Sequence, residues 1–175
     1  MKPTSRAFAA SIGFLVALGA ACSQPPLRIG EAELLRGDLF DYPRFMVRFP
    51  PIGLGPTVDR TFVFQDVPTA DYTFHLRLAP QDRDAQPLIT QSKAIVSVAI
   101  FDPRGTPVAQ ASQELGRWEM TRSPAESAAW LPALRGIRLV RGRAYRIEIK
   151  IEPSSGDRIA ATFTPTLSGG GNELP

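Results

Sequence analysis

Short stretches in which apolar and polar residues alternate recur along most of the chain. The clearest stretch has Tyr145, Ile147, Ile149 and Ile151 on one face and charged residues between them. Alternation with a period of two predicts a strand that buries one face and leaves the other in water. Weaker alternation, or runs of β-branched and aromatic residues, predicts further strands over residues 44–49, 61–65, 72–78, 95–101, 107–115 and 159–164.

Turn signals separate these stretches about every ten residues. Residues 102–105 combine Pro and Gly in an order that suits a tight turn and predicts a hairpin. One helix start is also present: Ser123 can cap, Pro124 fits the first helical position, and Glu126 completes a capping box. Pro132 limits that helix to about two turns. We therefore predict an all-β fold, a single antiparallel β-sandwich of immunoglobulin-like or jelly-roll-like type, with one short crossover helix.

Two segments share a further feature, a tyrosine where a loop enters an alternating strand. They are residues 66–72, ending in Tyr72, and residues 139–145, ending in Tyr145. Both resemble the tyrosine corner of immunoglobulin-like sandwiches, in which the hydroxyl bonds back to upstream backbone. The strand order over residues 45–167 also resembles that of small β-sandwich proteins from proteobacteria, and this resemblance implies no activity.

Composition agrees with a single folded domain. The chain has 175 residues, of which 43% are hydrophobic and 21% charged, so wholesale disorder is excluded. The 17 prolines and 14 glycines favour many turns and few long helices. A single cysteine cannot form an internal disulfide, and a single histidine leaves little for metal binding or acid–base chemistry.

The first 22 residues form a separate segment. Lys2 and Arg6 precede an apolar run of about 13 residues, too short for a membrane span of about 20, and small residues then lead to Cys22. This pattern resembles the bacterial lipoprotein signal, which implies a cleaved signal peptide over 1–21 and lipidation of Cys22, whose acyl chains include palmitate in that family. The alternative is ordinary cleavage after Ala21, which leaves Cys22 as a free thiol.

The leader also shapes the expected organisation and location. Residues 22–42 are predicted to be a lipidated N-terminus and tether, within which 31–35 fit either a helical turn or an edge strand. The β-sandwich domain is predicted over 43–167 and a flexible Gly-rich tail over 168–175. Ser23, in place of the Asp that marks inner-membrane retention, resembles lipoproteins of the outer membrane. The expected location is the cell envelope, facing the periplasm in a Gram-negative host.

Charge and candidate chemistry narrow the function. Loss of Lys2 and Arg6 with the leader lowers the net charge from +3 to +1, which argues against nucleic-acid binding. No nucleophile elbow or phosphate-binding loop is present. The strand pattern places His75 on the outward face, and Asp82 and Asp84 fall in a polar loop with too few oxygens for calcium. We expect neither an enzyme nor a bound cofactor or metal.

Binding candidates remain. Trp118 stands between two charged residues and would suit stacking on a sugar, whereas the alternative is that it packs in the core. A second set of aromatic and basic residues crowds the start of the predicted domain and would suit a protein-contact edge, whereas the alternative is that it caps the sandwich. This set is Phe40, Tyr42, Arg44 and Arg48.

The function predicted from these features is binding at a membrane face. A lipid-anchored envelope protein is expected to bind a protein partner, such as an assembly factor, a secretion accessory or a protein that it inhibits. The alternative function is a carbohydrate-binding module for peptidoglycan or exopolysaccharide.

Overall fold

A computed structural model of the chain describes residues 27–39, 42–54, 57–122, 127–130, 134–155 and 160–170. Most of these residues lie in strands. The strands are β1 (Leu27–Ile29), β2 (Ala32–Leu39), β3 (Tyr42–Arg48), β4 (Ile52–Gly53), β5 (Val58–Gln65), β6 (Ala70–Leu78), β7 (Ile95–Phe101), β8 (Pro107–Glu114), β9 (Glu119–Arg122), β10 (Ser127–Trp130), β11 (Ile137–Leu139), β12 (Ala144–Glu152) and β13 (Thr162–Gly170).

The strands form two antiparallel sheets. In the larger sheet the order is β1-β2-β3-β13-β6-β10-β9, with β11 also pairing with β6 and β4 with β13. The smaller sheet has the order β5-β12-β7-β8. Rings from both sheets meet between them: Phe49 lies 5.6 Å from Phe62 and 5.2 Å from Phe64, measured between ring centroids. The predicted all-β sandwich is therefore confirmed.

The core consists of the inward stripe of each alternating strand. On β12 the four predicted residues, Tyr145, Ile147, Ile149 and Ile151, are all buried. The same alternation buries one face of β3, of β5 and of β7. The residues predicted from the period of two are thus the ones that the two sheets bury between them.

Both predicted tyrosine corners are present, one in each sheet. The Tyr72 hydroxyl donates to the Pro68 carbonyl oxygen at 2.9 Å, and the Tyr145 hydroxyl accepts from the Val140 N–H at 2.9 Å. The loops that carry them are also joined, because the Arg141 N–H donates to Thr69 Oγ1 at 3.0 Å. The second loop leads from β11, which pairs with the start of β6. The two corners therefore tie the entry points of β6 and β12 together across the sandwich.

The domain extends further at both ends than the sequence predicted. Within residues 27–39, placed in the predicted tether, β1 and β2 form, so residues 32–35 lie in a strand and not in a helical turn, although this strand is interior and not at an edge. Residues 168–170, placed in the predicted tail, continue β13 between β3 and β6. Gly169 allows β13 to continue beside β6, because a Cβ at this position would come within 2.7 Å of the Tyr72 ring. Glycine at this position lets the buried ring pack closely against the strand.

The predicted crossover helix over 123–132 is wrong for the part that the structure describes. Residues 127–130 form β10, which pairs on one side with β6 and on the other with β9. Strand pairing on two sides outweighs a local helix signal because each residue gains main-chain bonds to its neighbours. Residues 123–126 and 131–133 lie outside the described residues. The short helix of the fold is α1 (Gln86–Ile89), which follows a 3₁₀ turn over Pro80–Ala85.

Helix lengths also bear on membrane crossing. In the described parts of the chain, no helix has both the length and the apolar character that a bilayer crossing requires. The segment 1–26, which holds the predicted signal peptide and Cys22, lies outside the described residues.

Candidate functional site

The outer face of the small sheet presents apolar, aromatic and charged side chains together. Strand pairing places residues of neighbouring strands in rows across this face. One row joins Val63 on β5, Arg146 on β12 and Phe101 on β7. The guanidinium carbon of Arg146 lies 4.7 Å from the centroid of the Phe101 ring, within the range of a cation–π contact.

This row is apolar apart from Arg146 and is open to solvent. Val63 is 49% exposed, and Val108, which follows the Phe101 partner Pro107 at a register irregularity of β8, is 41% exposed. Phe101 is half-buried. We call Val63, Phe101, Val108 and Arg146 the apolar row. Aromatic and arginine side chains surrounded by exposed aliphatic residues are typical of protein-contact surfaces.

A polar groove lies beside the apolar row on the same face. It has a volume of about 490 Å³, and small residues of β7, Ser97 and Ala99, form its floor. Its walls carry carboxylate, ammonium and amide groups, from Glu148 and Lys150 on β12 and from Gln110 on β8. Hydrogen-bonding groups around a shallow groove suit a ligand with many hydroxyl groups.

Ion pairs order the charged side chains of this face. Arg146 Nε lies 2.9 Å from Glu148 Oε1, and Lys150 Nζ lies 2.5 Å from Glu152 Oε1. The hydrogen bond and the charge of Glu152 raise the pKa of Lys150. Each pair is about half exposed, so these pairs set side-chain orientation and contribute little to stability.

The candidate sugar-stacking ring lies in the core instead of on the surface. Trp118 is 4% exposed, and its ring meets that of Phe74 edge-on at 6.5 Å. Its Nε1 is buried and has no hydrogen-bond partner in the described part of the chain. A ring buried in this way offers no face to a sugar, so Trp118 follows the core-packing alternative.

The predicted protein-contact edge lies on an interior strand. Tyr42, Arg44 and Arg48 belong to β3, whose backbone is paired with β2 on one side and with β13 on the other. Arg48 is held on the outer face of the large sheet by Glu33, with Nη2 to Oε2 at 2.6 Å. Phe40 lies outside the described residues, and so does Cys22. The described residues of this set therefore do not form a sheet edge, although the Arg48 side chain is half exposed.

His75 differs most from its predicted position, because it is only 3% exposed. Its Nε2 makes a short hydrogen bond with Ser168 Oγ on β13. The pattern gave the correct face, but β13 and β10 flank β6 and remove this part of the face from water. Burial, with smaller contributions from the charges of Arg77 and Arg135, lowers the pKa of His75 to about 4.

A hydroxyl–imidazole pair invites comparison with a hydrolytic triad, but the surroundings do not suit one. A pKa of about 4 makes His75 a weak base near neutral pH. Ser168 and Gly169 lie in a strand that is paired on both sides, so their main-chain N–H groups belong to the sheet and do not form an oxyanion hole. We therefore assign this pair to the packing of the large sheet.

The acidic loop has a structural role as well. Asp82 lies in the 3₁₀ turn, and its Oδ2 accepts the Thr162 N–H at 2.7 Å, which joins this turn to the start of β13. Among the described residues, no group of three or more His, Cys, Asp or Glu side chains could hold a metal ion.

Sequence reasoning missed the apolar row, although part of the signal was present. In residues 61–65 the two phenylalanines share the inward face, which leaves Val63 as an outward apolar residue. The pairing of Arg146 with Phe101 depends on the register between β12 and β7, which no local pattern supplies.

Comparisons with known proteins add no relative. No protein-family model matches the chain, and none of the curated proteins compared with it does.

Proposed function

We propose that this protein is a bacterial envelope lipoprotein whose β-sandwich binds a protein partner through the outer face of the small sheet, without catalysis. The observation that carries this proposal is the apolar row, in which Arg146 stacks on Phe101 between the exposed Val63 and Val108. Exposed aliphatic residues around an aromatic–arginine pair provide the apolar centre and the polar anchor that protein interfaces combine.

The anchor follows from the leader and the start of the domain. Four residues separate Cys22 from β1, so the five steps from Cys22 to Leu27 span at most about 18 Å when fully extended. Lipid on Cys22 therefore holds the sandwich close to the membrane surface, which limits its partners to proteins of the envelope. Two or more acyl chains are enough for stable attachment.

The anchor is tested by replacing the cysteine. Cys22→Ala removes the only site for lipid, so the variant should leave the detergent phase or remain as uncleaved precursor. Detergent-phase partitioning and the mass of the N-terminal peptide are the measurements. A wild-type protein that is already soluble and starts with an unmodified Cys22 contradicts the lipoprotein assignment.

The binding face is tested by photo-crosslinking in intact cells. A photoreactive residue at Val63 or at Val108 should give the same adduct, because the two positions lie on either side of the Arg146–Phe101 pair. Leu88 on α1 is the matched control, since it is an aliphatic residue, 53% exposed, that does not belong to the small sheet. Arg146→Ala should abolish both adducts. Equal crosslinking from Val63 and Leu88, or adducts that persist in Arg146→Ala, would remove this face from consideration.

A carbohydrate-binding function is the second candidate, and the polar groove favours it. Because Trp118 is buried, sugar recognition in this groove would rest on hydrogen bonds from Gln110, Glu148 and Lys150. The test is retention of the wild-type protein on peptidoglycan and on exopolysaccharide, beside Gln110→Ala and Glu148→Ala. Retention that both variants lose supports a glycan ligand, and no retention of the wild type excludes it.

A further inference from the structure

The two edge strands of the small sheet, β5 and β8, differ in the hydrogen bonds that their outer main-chain groups make. At β5 the edge is closed at Val63, whose N–H donates to Glu31 Oε2 at 3.0 Å and whose carbonyl oxygen accepts the Glu31 N–H at 3.1 Å. Gly30 makes this approach possible, because it has a φ of 74° and a Cβ there would lie 2.4 Å from the Val63 oxygen. The turn between β1 and β2 thus covers the β5 edge at Val63.

At the other edge strand, β8, no described strand or turn is hydrogen-bonded to the outer main-chain groups. The Leu115 N–H donates to the Ala94 carbonyl oxygen at 2.7 Å, which fixes the alternation of bonded pairs along β7 and β8. By this alternation Ala111 bonds to β7, whereas the N–H and C=O groups of Gln110, Ser112 and Glu114 face away from the sheet. In the described ranges of the chain no other strand or turn bonds to these groups.

The composition of β8 does not protect this edge. Lysine, interior proline and bulges commonly block pairing at exposed edges. In β8 the only proline is the first residue, the only charge is the last, Glu114, and the register irregularity lies at residues 107–109, outside 110–114. A second copy of the same strand suits it in antiparallel orientation about Ala111. Glu114 then lies opposite Val108 of the second copy, and Gln110 lies opposite Ser112 of the second copy, so no like charges meet.

We propose that β8 is the site at which two copies of this chain pair, with their strands antiparallel about Ala111, to make one continuous sheet. Gln110 and Ser112 each exchange both main-chain hydrogen bonds with the residue opposite. Ala111 of one copy lies opposite Ala111 of the second copy at the two-fold axis, and the two form a non-hydrogen-bonded pair. The alternation of the outer face is preserved, so the polar groove continues from one copy into the next.

The register makes a cysteine at Ala111 the direct test. Non-hydrogen-bonded antiparallel pairs have Cα atoms about 4.5 Å apart, within the range of about 4.4–6.8 Å that a disulfide spans. In membranes that contain the full chain, mild oxidation of Ala111→Cys should convert the monomer band into a disulfide-linked dimer that a reductant reverses. The wild type, whose only cysteine is Cys22, should stay monomeric on the same gel.

Gln110→Cys is the matched control on the same strand. In the proposed register the two copies of residue 110 lie about 8 Å apart, beyond disulfide reach, so this variant should not crosslink. Gln110→Cys combined with Ser112→Cys places two cysteines opposite each other and should restore the crosslink. Equal crosslinking of Gln110→Cys and Ala111→Cys indicates random collision and overturns the proposal.

A proline variant separates pairing from folding. The N–H of Gln110 faces away from β7, so Gln110→Pro removes a bond between copies while it keeps the bonds within the sheet. Added to Ala111→Cys, it should abolish the dimer band and leave the melting temperature nearly unchanged. A dimer band that persists in this double variant, or an Ala111→Cys protein that crosslinks only to other proteins, rejects the pairing of two copies.

Discussion

Protonation of His75 should destabilise the fold in mildly acidic solution. The imidazole is buried, hydrogen-bonded to Ser168 and near the positive charges of Arg77 and Arg135, so the folded chain resists a further proton. In the unfolded chain the same side chain has its ordinary pKa of about 6.5. Between these two pKa values the unfolded state binds more protons than the folded state, and stability therefore falls as the pH falls.

The size of the effect follows from the pKa of about 4 in the folded protein. At about 1.4 kcal/mol per pH unit, the fall from about 6.5 corresponds to about 3 kcal/mol of unfolding free energy, which is present at pH 7 and lost by about pH 4. About 2 kcal/mol of this should disappear between pH 6.5 and pH 5. That window lies above the range in which exposed carboxylates titrate.

Urea unfolding at pH 5, 6, 7 and 8 measures this dependence. The control is His75→Gln, which has a similar size and can still bond to Ser168 but cannot be protonated. Because His75 is the only histidine, the difference in slope between the two proteins belongs to this residue alone. The wild type should lose stability below pH 6.5, and the variant should change much less.

Two results would refute this reasoning. One is an identical pH dependence of the wild type and His75→Gln between pH 5 and pH 7. The other is a titration of the single histidine resonance near pH 6.5 in the folded protein, which would mean that the imidazole is solvated in solution.

Three further predictions concern packing. Gly169→Ala places a Cβ within 2.7 Å of the Tyr72 ring, so it should lower the unfolding free energy measured in urea by about 1–3 kcal/mol, and an unchanged midpoint would contradict the packing of this ring on β13. Trp118→Ala should cost about 3–5 kcal/mol because the indole is buried, and a variant as stable as the wild type would mean an exposed ring. Ile149→Asp buries a charge and should leave no cooperative thermal transition, whereas Lys150→Asp on the wet face should melt close to the wild type; similar melting of the two would place β12 in the wrong register.

The sequence alone determined the fold class and much of the core. Tyr145 and Ile149 could be assigned to a buried face because a strand turns successive side chains to opposite sides. Tyr72 could be assigned to a corner because its segment echoes the one that ends in Tyr145, and both hydroxyls bond to upstream backbone as expected. These features depend on residues close together in the chain, so a local pattern is sufficient to predict them.

The tertiary structure decided how much of each face is covered. His75 has the face that alternation predicts, yet it is buried because β6 is an interior strand with β13 and β10 on either side. Residues 127–130 have a helix signal before them, yet they form β10 because β6 and β9 both pair with them. Coverage and pairing depend on strands distant in sequence, and the local pattern holds no information about them.

Strand order and register determine almost wholly which residues come together on the candidate surfaces. Arg146 meets Phe101 because β12 and β7 are neighbours in one particular register, and a slip of one residue would turn every side chain of a strand to the other face. The turn at Gly30 bonds to the β5 edge at Val63, whereas no strand or turn among the described residues bonds to the outer groups of β8. Sequence determined which residues share a face of a strand, and only the tertiary structure determined which faces and edges remain exposed.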